Sequence, residues 1–285
     1  RAVRRHQGLR PEPAGLSVLT ALLLGLVEGA TEFIPVSSTA HLLLLAHFLG
    51  FESKGNVFEV AVQLGAVLAL VAVYLGKLAW ALGGALRGDD DARRFVVAVL
   101  LAFLPAAALG VLLHDLIKDV LFETPTLIAV MLILGGLVLL AVDRIPFAVR
   151  HERADRLPFR TALLVGLCQT LALVPGVSRS GATIVGGLAL GLSRRAAAEF
   201  SFFLSLPTMA GAVAFDLWDN RDLLGASDYG LIAVGFAAAF VSGLLVVRWL
   251  LDFVSRRGFA VFGWWRIVVG TLALILLALG VGQPA

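Results

Sequence analysis

Thr20-Ala21-Leu22-Leu23-Leu24-Gly25-Leu26-Val27-Glu28 returns, 141 positions later, as Thr161-Ala162-Leu163-Leu164-Val165-Gly166-Leu167-Cys168-Gln169. Thr, Ala, two Leu, Gly and a further Leu match at one constant offset, which also pairs Val36-Ser37 with Val177-Ser178. With one residue of slippage, Ser53-Lys54 falls on Ser193-Arg194 and Glu59 on Glu199. Leu and Ala recur by chance in apolar helices, whereas Thr, Gly, Ser and Glu in register do not. The chain is therefore read as two repeats, about residues 16–142 and 157–282.

Each repeat opens the same way. An apolar helix runs into a polar break, Ile34-Pro35-Val36-Ser37-Ser38-Thr39 in the first and Val174-Pro175-Gly176-Val177-Ser178-Arg179-Ser180-Gly181 in the second. A second short apolar arm follows, Leu42–Leu49 or Ile184–Leu190. Either arm is short for a full span, and irregular backbone at membrane depth survives only where protein or a water-filled cavity surrounds it. Both segments read as re-entrant helix-loop-helix hairpins. Interrupted helices at matching places in two halves point to a binding site.

Beyond the hairpins lie long apolar runs: Val60–Gly84, Phe95–Leu113, Thr126–Val142, Leu231–Leu251 and Val261–Leu279. About 20 apolar residues cross a bilayer, and 59% of the 285 residues are hydrophobic, with mean hydropathy +0.94. The fold class is thus an all-α, polytopic membrane protein of inverted repeats, with two hairpins and about six transmembrane helices. Residues 1–15 read as a flexible basic tail and 16–285 as a single transmembrane domain. The chain begins on Arg1 rather than Met, so the numbered start is not expected to be the natural one. No cleavable signal peptide is expected, because the first apolar stretch runs straight into Glu28. The single cysteine, Cys168, excludes a disulfide framework.

Loop charges set the expected topology. Arg residues gather in Arg87–Arg94, Asp143–Arg160, Arg194–Arg195 and Asp252–Arg257, whereas His114–Glu123 and Asp216–Asp228 are mostly acidic. The positive-inside rule places the first four in the cytoplasm and inverts the two repeats. The tail Arg1–Arg10 would then lie outside, against the rule.

Glu28 and Glu32 are four residues apart, so on a helix their carboxylates share a face. Ionisable groups within the membrane are functional candidates by default, and two neighbouring carboxylates repel unless a proton or cation lies between them. Oxygen-only ligands suit a divalent cation, Mg²⁺ or Ca²⁺. Ser37, Ser38, Thr39 and His41 follow at the break, where a hydroxyl and an imidazole three residues apart form a candidate nucleophile–base pair. In the second break, Ser178, Ser180 and Thr183 surround Arg179, whose planar fork matches phosphate oxygens. The glycines and the following helix N-terminus suit an anion.

Glu28-Gly-Ala-Thr-Glu32-Phe-Ile-Pro-Val-Ser-Ser38-Thr-Ala-His41 resembles the first motif of the bacterial undecaprenyl-diphosphate phosphatase family, of the bacitracin-resistance type. Pro175-Gly-Val-Ser178-Arg179-Ser180-Gly-Ala-Thr183 resembles its second motif. Phe58-Glu59-Val-Ala-Val-Gln63-Leu-Gly65 and Glu199-Phe-Ser-Phe-Phe-Leu are also similar to family segments. The resemblance covers the chain after residue 15; the one difference noted is Ala40 where Gly is usual. It implies removal of one phosphate from the C55 isoprenoid diphosphate, with a divalent cation, at the outer face of the bacterial inner membrane. That reaction recycles the lipid carrier of peptidoglycan synthesis. The assigned roles are Ser38, His41, Glu32 and Arg179 in catalysis, Ser37, Thr39, Ser178, Ser180 and Thr183 in substrate binding, and Glu28 with Glu32 on the metal. Ser38 and His41 both stay open as nucleophile. The implied partners are undecaprenyl diphosphate and membrane lipids, with no nucleic acid and with a homodimer open. The alternative is a polyprenyl-phosphate flippase, since inverted repeats with broken helices are also a transporter architecture. An ion channel is a poor third, because no ring of selectivity ligands is present.

Overall fold

Backbone polar groups in hydrocarbon must be satisfied within the segment itself, which leaves helices as the natural form for these apolar runs. The computed structural model describes residues 17–49, 57–219 and 229–281. The tail 1–15, Ser53-Lys54 of the repeat alignment and most of the acidic loop Asp216–Asp228 lie outside the described residues.

Ten α-helices are formed in these residues. In the first half they are α1 (Val18–Thr31), α2 (Ser38–Leu49), α3 (Val57–Arg87), α4 (Asp90–Leu112) and α5 (Pro125–Val142). In the second they are α6 (Phe159–Gln169), α7 (Arg179–Ala189), α8 (Arg194–Asp219), α9 (Tyr229–Arg257) and α10 (Ala260–Ala278). Six of them, α3–α5 and α8–α10, are long and apolar enough to cross a membrane. The protein is an all-α polytopic membrane protein, and its short helices α1, α2, α6 and α7 flank the two polar breaks.

The order short, short, long, long, long occurs twice. Packing follows the same exchange: α1 lies mainly on α9, and α6 lies mainly on α4, so each first arm rests on the fourth helix of the other half. Helices α5 and α10 pair with each other. Matching glycines make the crossed contacts possible. A Cβ on Gly25 would stand 2.2 Å from the Gly235 carbonyl oxygen, and one on Gly166 would stand 2.1 Å from that of Ala102. No side chain fits there, so the backbones touch.

The breaks match in backbone as well. Ser37 (φ +72°) and Ser178 (φ +78°) are the only non-glycine residues with positive φ among the described residues. Each then caps the helix that follows: Ser37 Oγ accepts from Ala40 N at 3.4 Å, and Ser178 Oγ from Gly181 N at 3.1 Å. This corrects the expected arms. They begin at Ser38 and Arg179, not at Leu42 and Ile184, because capping recruits the polar residues into the first helical turn. The hydroxyls and the guanidinium therefore sit on helix ends rather than in loose loops. The first break is anchored by Phe33, fully buried and edge-on to Phe202 of α8 at 5.8 Å.

The four Arg-rich segments gather at one end of the bundle. Arg156 pairs with Asp91 (3.0 Å), Arg194 with Asp143 (3.2 Å) and Arg195 with Asp252 (3.3 Å). At the other end, His114 packs on Phe215 near the far end of α8 (ring centroids 4.7 Å), beside a π-helical turn at Leu116–Leu121.

Asp143 ties three helix ends together at the Arg-rich face. Its Oδ2 accepts from the backbone N–H groups of Phe259 and Ala260, both at 2.6 Å, while Oδ1 meets Arg194. It thus caps α10 from outside that helix. Asp143→Ala should lower stability by about 1–2 kcal/mol, the usual cost of a lost cap, read as a reduced thermal midpoint in detergent. An unchanged midpoint would show that the cap is dispensable.

Candidate active site

The two breaks meet inside the bundle around one carboxylate. Glu32, 7% exposed at the end of α1, uses both oxygens. Oε2 accepts a hydrogen bond from Ser38 Oγ on α2, and Oε1 accepts from Arg179 Nη2 on α7 at 3.0 Å. Ser38 and Arg179 hold the same position in their respective repeats, the first residue of the second arm. The fold brings them from 141 residues apart onto one acid.

Arg179 is held from behind. Its Nη1 donates to the Ser201 carbonyl at 3.0 Å. Thr183 Oγ1 lies 2.7 Å from Ser201 Oγ and 2.9 Å from the Arg179 carbonyl oxygen. Ser180 Oγ donates to the Ile34 carbonyl at 2.8 Å, stitching the second break to the first, and lies 3.1 Å from Ser178 Oγ. Among the proposed phosphate ligands, Ser180 and Thr183 are thus engaged in holding the loops, while Ser37, Thr39 and Ser178 line the cavity.

That cavity measures about 180 Å³. Glu32, Ser37, Ser38, Thr39, Ser178 and Arg179 supply its polar lining, joined by Gln63 and Thr208. Ile117, Phe122, Leu173, Met209 and Ala212 form apolar walls. It lies toward the segment 113–124, away from the Arg-rich end. A larger cleft of about 560 Å³ lies at that Arg-rich end. Its charged lining is laced by ion pairs, Lys77–Glu199 at 2.9 Å and Arg153–Asp155 at 2.6 Å among them, so it reads as a solvated ionic surface.

The structure does not pair His41 with Ser38. Trp265 Nε1 donates to His41 Nε2 at 2.9 Å, which leaves that nitrogen as an acceptor. Nδ1 then carries the proton and donates to the Ser37 carbonyl at 2.8 Å. Both nitrogens are occupied, and the hydrogen-bond partner of the Ser38 hydroxyl is Glu32 instead. His41 braces the left-handed turn at Ser37. An i, i+3 spacing places two residues on one helix face but does not set where the side chains aim.

Glu28 is 2% exposed, adjacent to Glu32, with Glu59 a further electrostatic neighbour. Among the described residues, no group of three or more His, Cys, Asp or Glu side chains forms a metal cage. Two carboxylates are a partial set of hard oxygen donors, of the kind that Mg²⁺ or Ca²⁺ completes with phosphate oxygens and water. The donor chemistry therefore fits a divalent cation bound together with a phosphorylated substrate. The second half has no such pair. Gln169 occupies the place of Glu28, donating to Thr208 at 3.4 Å, and Leu173 that of Glu32.

A family profile described as "Bacitracin resistance protein BacA" matches residues 21–272. The chain belongs to that family. It is 65% identical over 264 residues to the undecaprenyl-diphosphatase of Cereibacter sphaeroides (strain ATCC 17029), covering 93% of this chain and 98% of that one. Undecaprenyl-diphosphatase 1 of Agrobacterium fabrum is 61% identical over 261 residues, with 92% and 97% covered. Undecaprenyl-diphosphatase of Caulobacter vibrioides (strain NA1000) is 58% identical over 259 residues, with 91% and 97% covered.

For this BacA-family chain, residue-by-residue reading missed Trp265, Thr208 and Arg266. A signal existed for Arg266, since a lone arginine within an apolar span is a functional candidate by default. Trp265 gives no such signal, because tryptophan is ordinary in a membrane helix.

The His41 contacts lead to a sharp expectation. A glutamine can donate to the Ser37 carbonyl and accept from Trp265. His41→Gln should keep turnover within about tenfold of the parent, whereas loss of a general base costs about 10²–10⁴. Ser38→Ala should fall in that larger range. A thousandfold loss in His41→Gln, measured by phosphate release, would return the base role to His41.

Proposed function

We propose that this protein is an undecaprenyl-diphosphate phosphatase of the bacterial inner membrane, which hydrolyses the C55 isoprenoid diphosphate to the monophosphate and phosphate. It thereby recycles the lipid carrier for peptidoglycan synthesis and contributes to bacitracin resistance. The observation that carries the reading is the meeting of Ser38 and Arg179 on Glu32 in a cavity lined by both polar and apolar side chains. The polar side chains suit a diphosphate and the apolar ones suit the start of an isoprenoid chain. The activity named for its relatives, at 57–65% identity over most of the chain, agrees with that chemistry.

Substrate enters with its distal phosphate against Arg179, whose fork binds phosphoryl oxygens. Ser38 Oγ attacks the distal phosphorus and its proton passes to Glu32 Oε2. The bond from that phosphorus to the bridging oxygen breaks, and the lipid monophosphate leaves with the bridging oxygen. Glu32 passes that proton to the departing monophosphate, which frees it to take a proton from the water that cleaves the phosphoseryl bond and to return this proton to Ser38 Oγ. Arg179 stabilises the charge that spreads over the phosphoryl oxygens in both steps. Glu28 and Glu32 would hold a divalent cation, which would supply positive charge to offset that of the diphosphate. Ser37, Thr39 and Ser178 offer hydroxyls to the same anion. A flippase needs the anion site but not the Ser38–Glu32 pair, so that pair favours hydrolysis.

Purified protein should release phosphate from a long isoprenoid diphosphate, and a chelator should abolish the release. Glu28→Gln should lower the rate strongly at saturating Mg²⁺ or Ca²⁺ without loss of folded protein. No release in the presence of either cation would sink the reading, and chelator-resistant release would remove the metal.

The cavity's position beside 113–124, at the end opposite the Arg clusters, supports an active site open to the periplasmic face. A cysteine placed at Asp119 should react with a membrane-impermeant reagent on intact cells, and one at Glu152 should not. The opposite pattern would move the active site to the cytoplasmic side.

A further inference from the structure

Arg266 of α10 is 1% exposed, the largest fully buried side chain among the described residues. Its guanidinium has five N–H groups, and five backbone carbonyls surround them. Nε donates to Leu132 (3.2 Å), Nη1 to Pro35 (3.1 Å) and Val177 (3.0 Å), and Nη2 to Met131 (3.1 Å) and Gly176 (2.5 Å). No ion pair to Arg266 is formed among the described residues. The two Nη groups reach both breaks at equivalent points, each just before its left-handed serine: Pro35 in the first, Gly176 and Val177 in the second.

We propose that Arg266 is a positioning residue for phosphate-ester hydrolysis: it sets the spacing and register of the two breaks, so that Ser38 and Arg179 converge on the same carboxylate. The inference rests on the phosphatase reading for its kinetic consequence. The geometry behind it is direct. Ser38 is three residues beyond the Pro35 carbonyl that Arg266 holds, and Arg179 is two beyond the Val177 carbonyl. One rigid planar group therefore fixes the origin of both helix starts. Lysine, with three donors on a flexible stem, cannot hold five carbonyls in a plane. The space for the fork is kept open by Gly135 of α5, where a Cβ would stand 1.9 Å from Nη2. Gly135→Ala must therefore shift the guanidinium without removing its charge.

Misplacing a reactive group by about 1 Å costs about 10²-fold in rate. Arg266→Gln, Arg266→Lys and Gly135→Ala should each lower kcat by about that factor per folded molecule, with KM changed only a few-fold. A double-mutant cycle separates positioning from general bracing of the fold. Arg266→Gln should cost far less in an Arg179→Lys background than in the parent, because register loses its value once the fork is gone. Hydrogen exchange, which needs no turnover, should rise together at Ser37–Thr39 and Ser178–Ser180 in the Arg266 variants while α4 and α6 stay protected. Costs that multiply in the cycle, a kcat near the parent's, or faster exchange at only one break would overturn the inference. Should Arg266→Gln fail to fold, Gly135→Ala carries the same cycle. An inactive parent protein would end the phosphatase reading, while paired exchange at the two breaks would still decide whether Arg266 sets their register.

Discussion

A helix that stops inside hydrocarbon leaves carbonyl oxygens that neither water nor the next turn can satisfy, and an unmet buried polar group costs several kcal/mol. Here α1 and α6 end at Thr31 and Gln169, and the irregular backbone of the two breaks beyond them carries the carbonyls of Pro35, Gly176 and Val177. The five-fold engagement of Arg266 answers both at once, together with the carbonyls of Met131 and Leu132. Because one guanidinium serves both breaks, they are adjacent; because it is planar and rigid, their separation is defined. The site follows from that adjacency. Ser180 reaching the Ile34 carbonyl is a second stitch along the same seam.

The two halves share a backbone and divide the chemistry. Both place a serine at positive φ, cap the next helix with it, and pack the first arm by a matching glycine onto the other half. At the first residue of the second arm, one half carries Ser38 and the other Arg179. At the acid positions, one half carries Glu28 and Glu32 and the other Gln169 and Leu173. A single copy would have an acid without a fork, or a fork without an acid. Brought together, Glu32 is at once the partner of a hydroxyl and of a guanidinium.

Much of this is legible in the sequence. The spans α3, α4, α5, α9 and α10 are runs of apolar residues that length alone assigns. Helix α8 is less plain, because Glu199, Ser201, Ser205 and Pro207 lower its hydropathy to 1.4, against 2.0–2.7 in the other five. Ser201 is there for the site, its carbonyl and hydroxyl holding Arg179 and Thr183, whereas Glu199 pairs with Lys77 at the Arg-rich end. Hydrophobicity alone starts the second arms too late along the chain, because it carries no sign that a serine cap draws Ser38 and Arg179 into a helical turn.

By itself the sequence determined the class of protein, the two interrupted hairpins and the residue types of the site. Apolar run length, register between repeats, and the expense of charge in a membrane are all local or periodic quantities. Tertiary structure alone decided which partners those residues take. Ser38 turned to Glu32 and not to His41, because Trp265, 224 residues away in the chain, claims the imidazole. Glu32 met Arg179 across 147 residues, and Arg266 met both breaks across 231 and 90. A hydrogen bond is set by distance and direction to within a few tenths of an ångström, and no pattern along one chain encodes where a distant helix will aim a side chain.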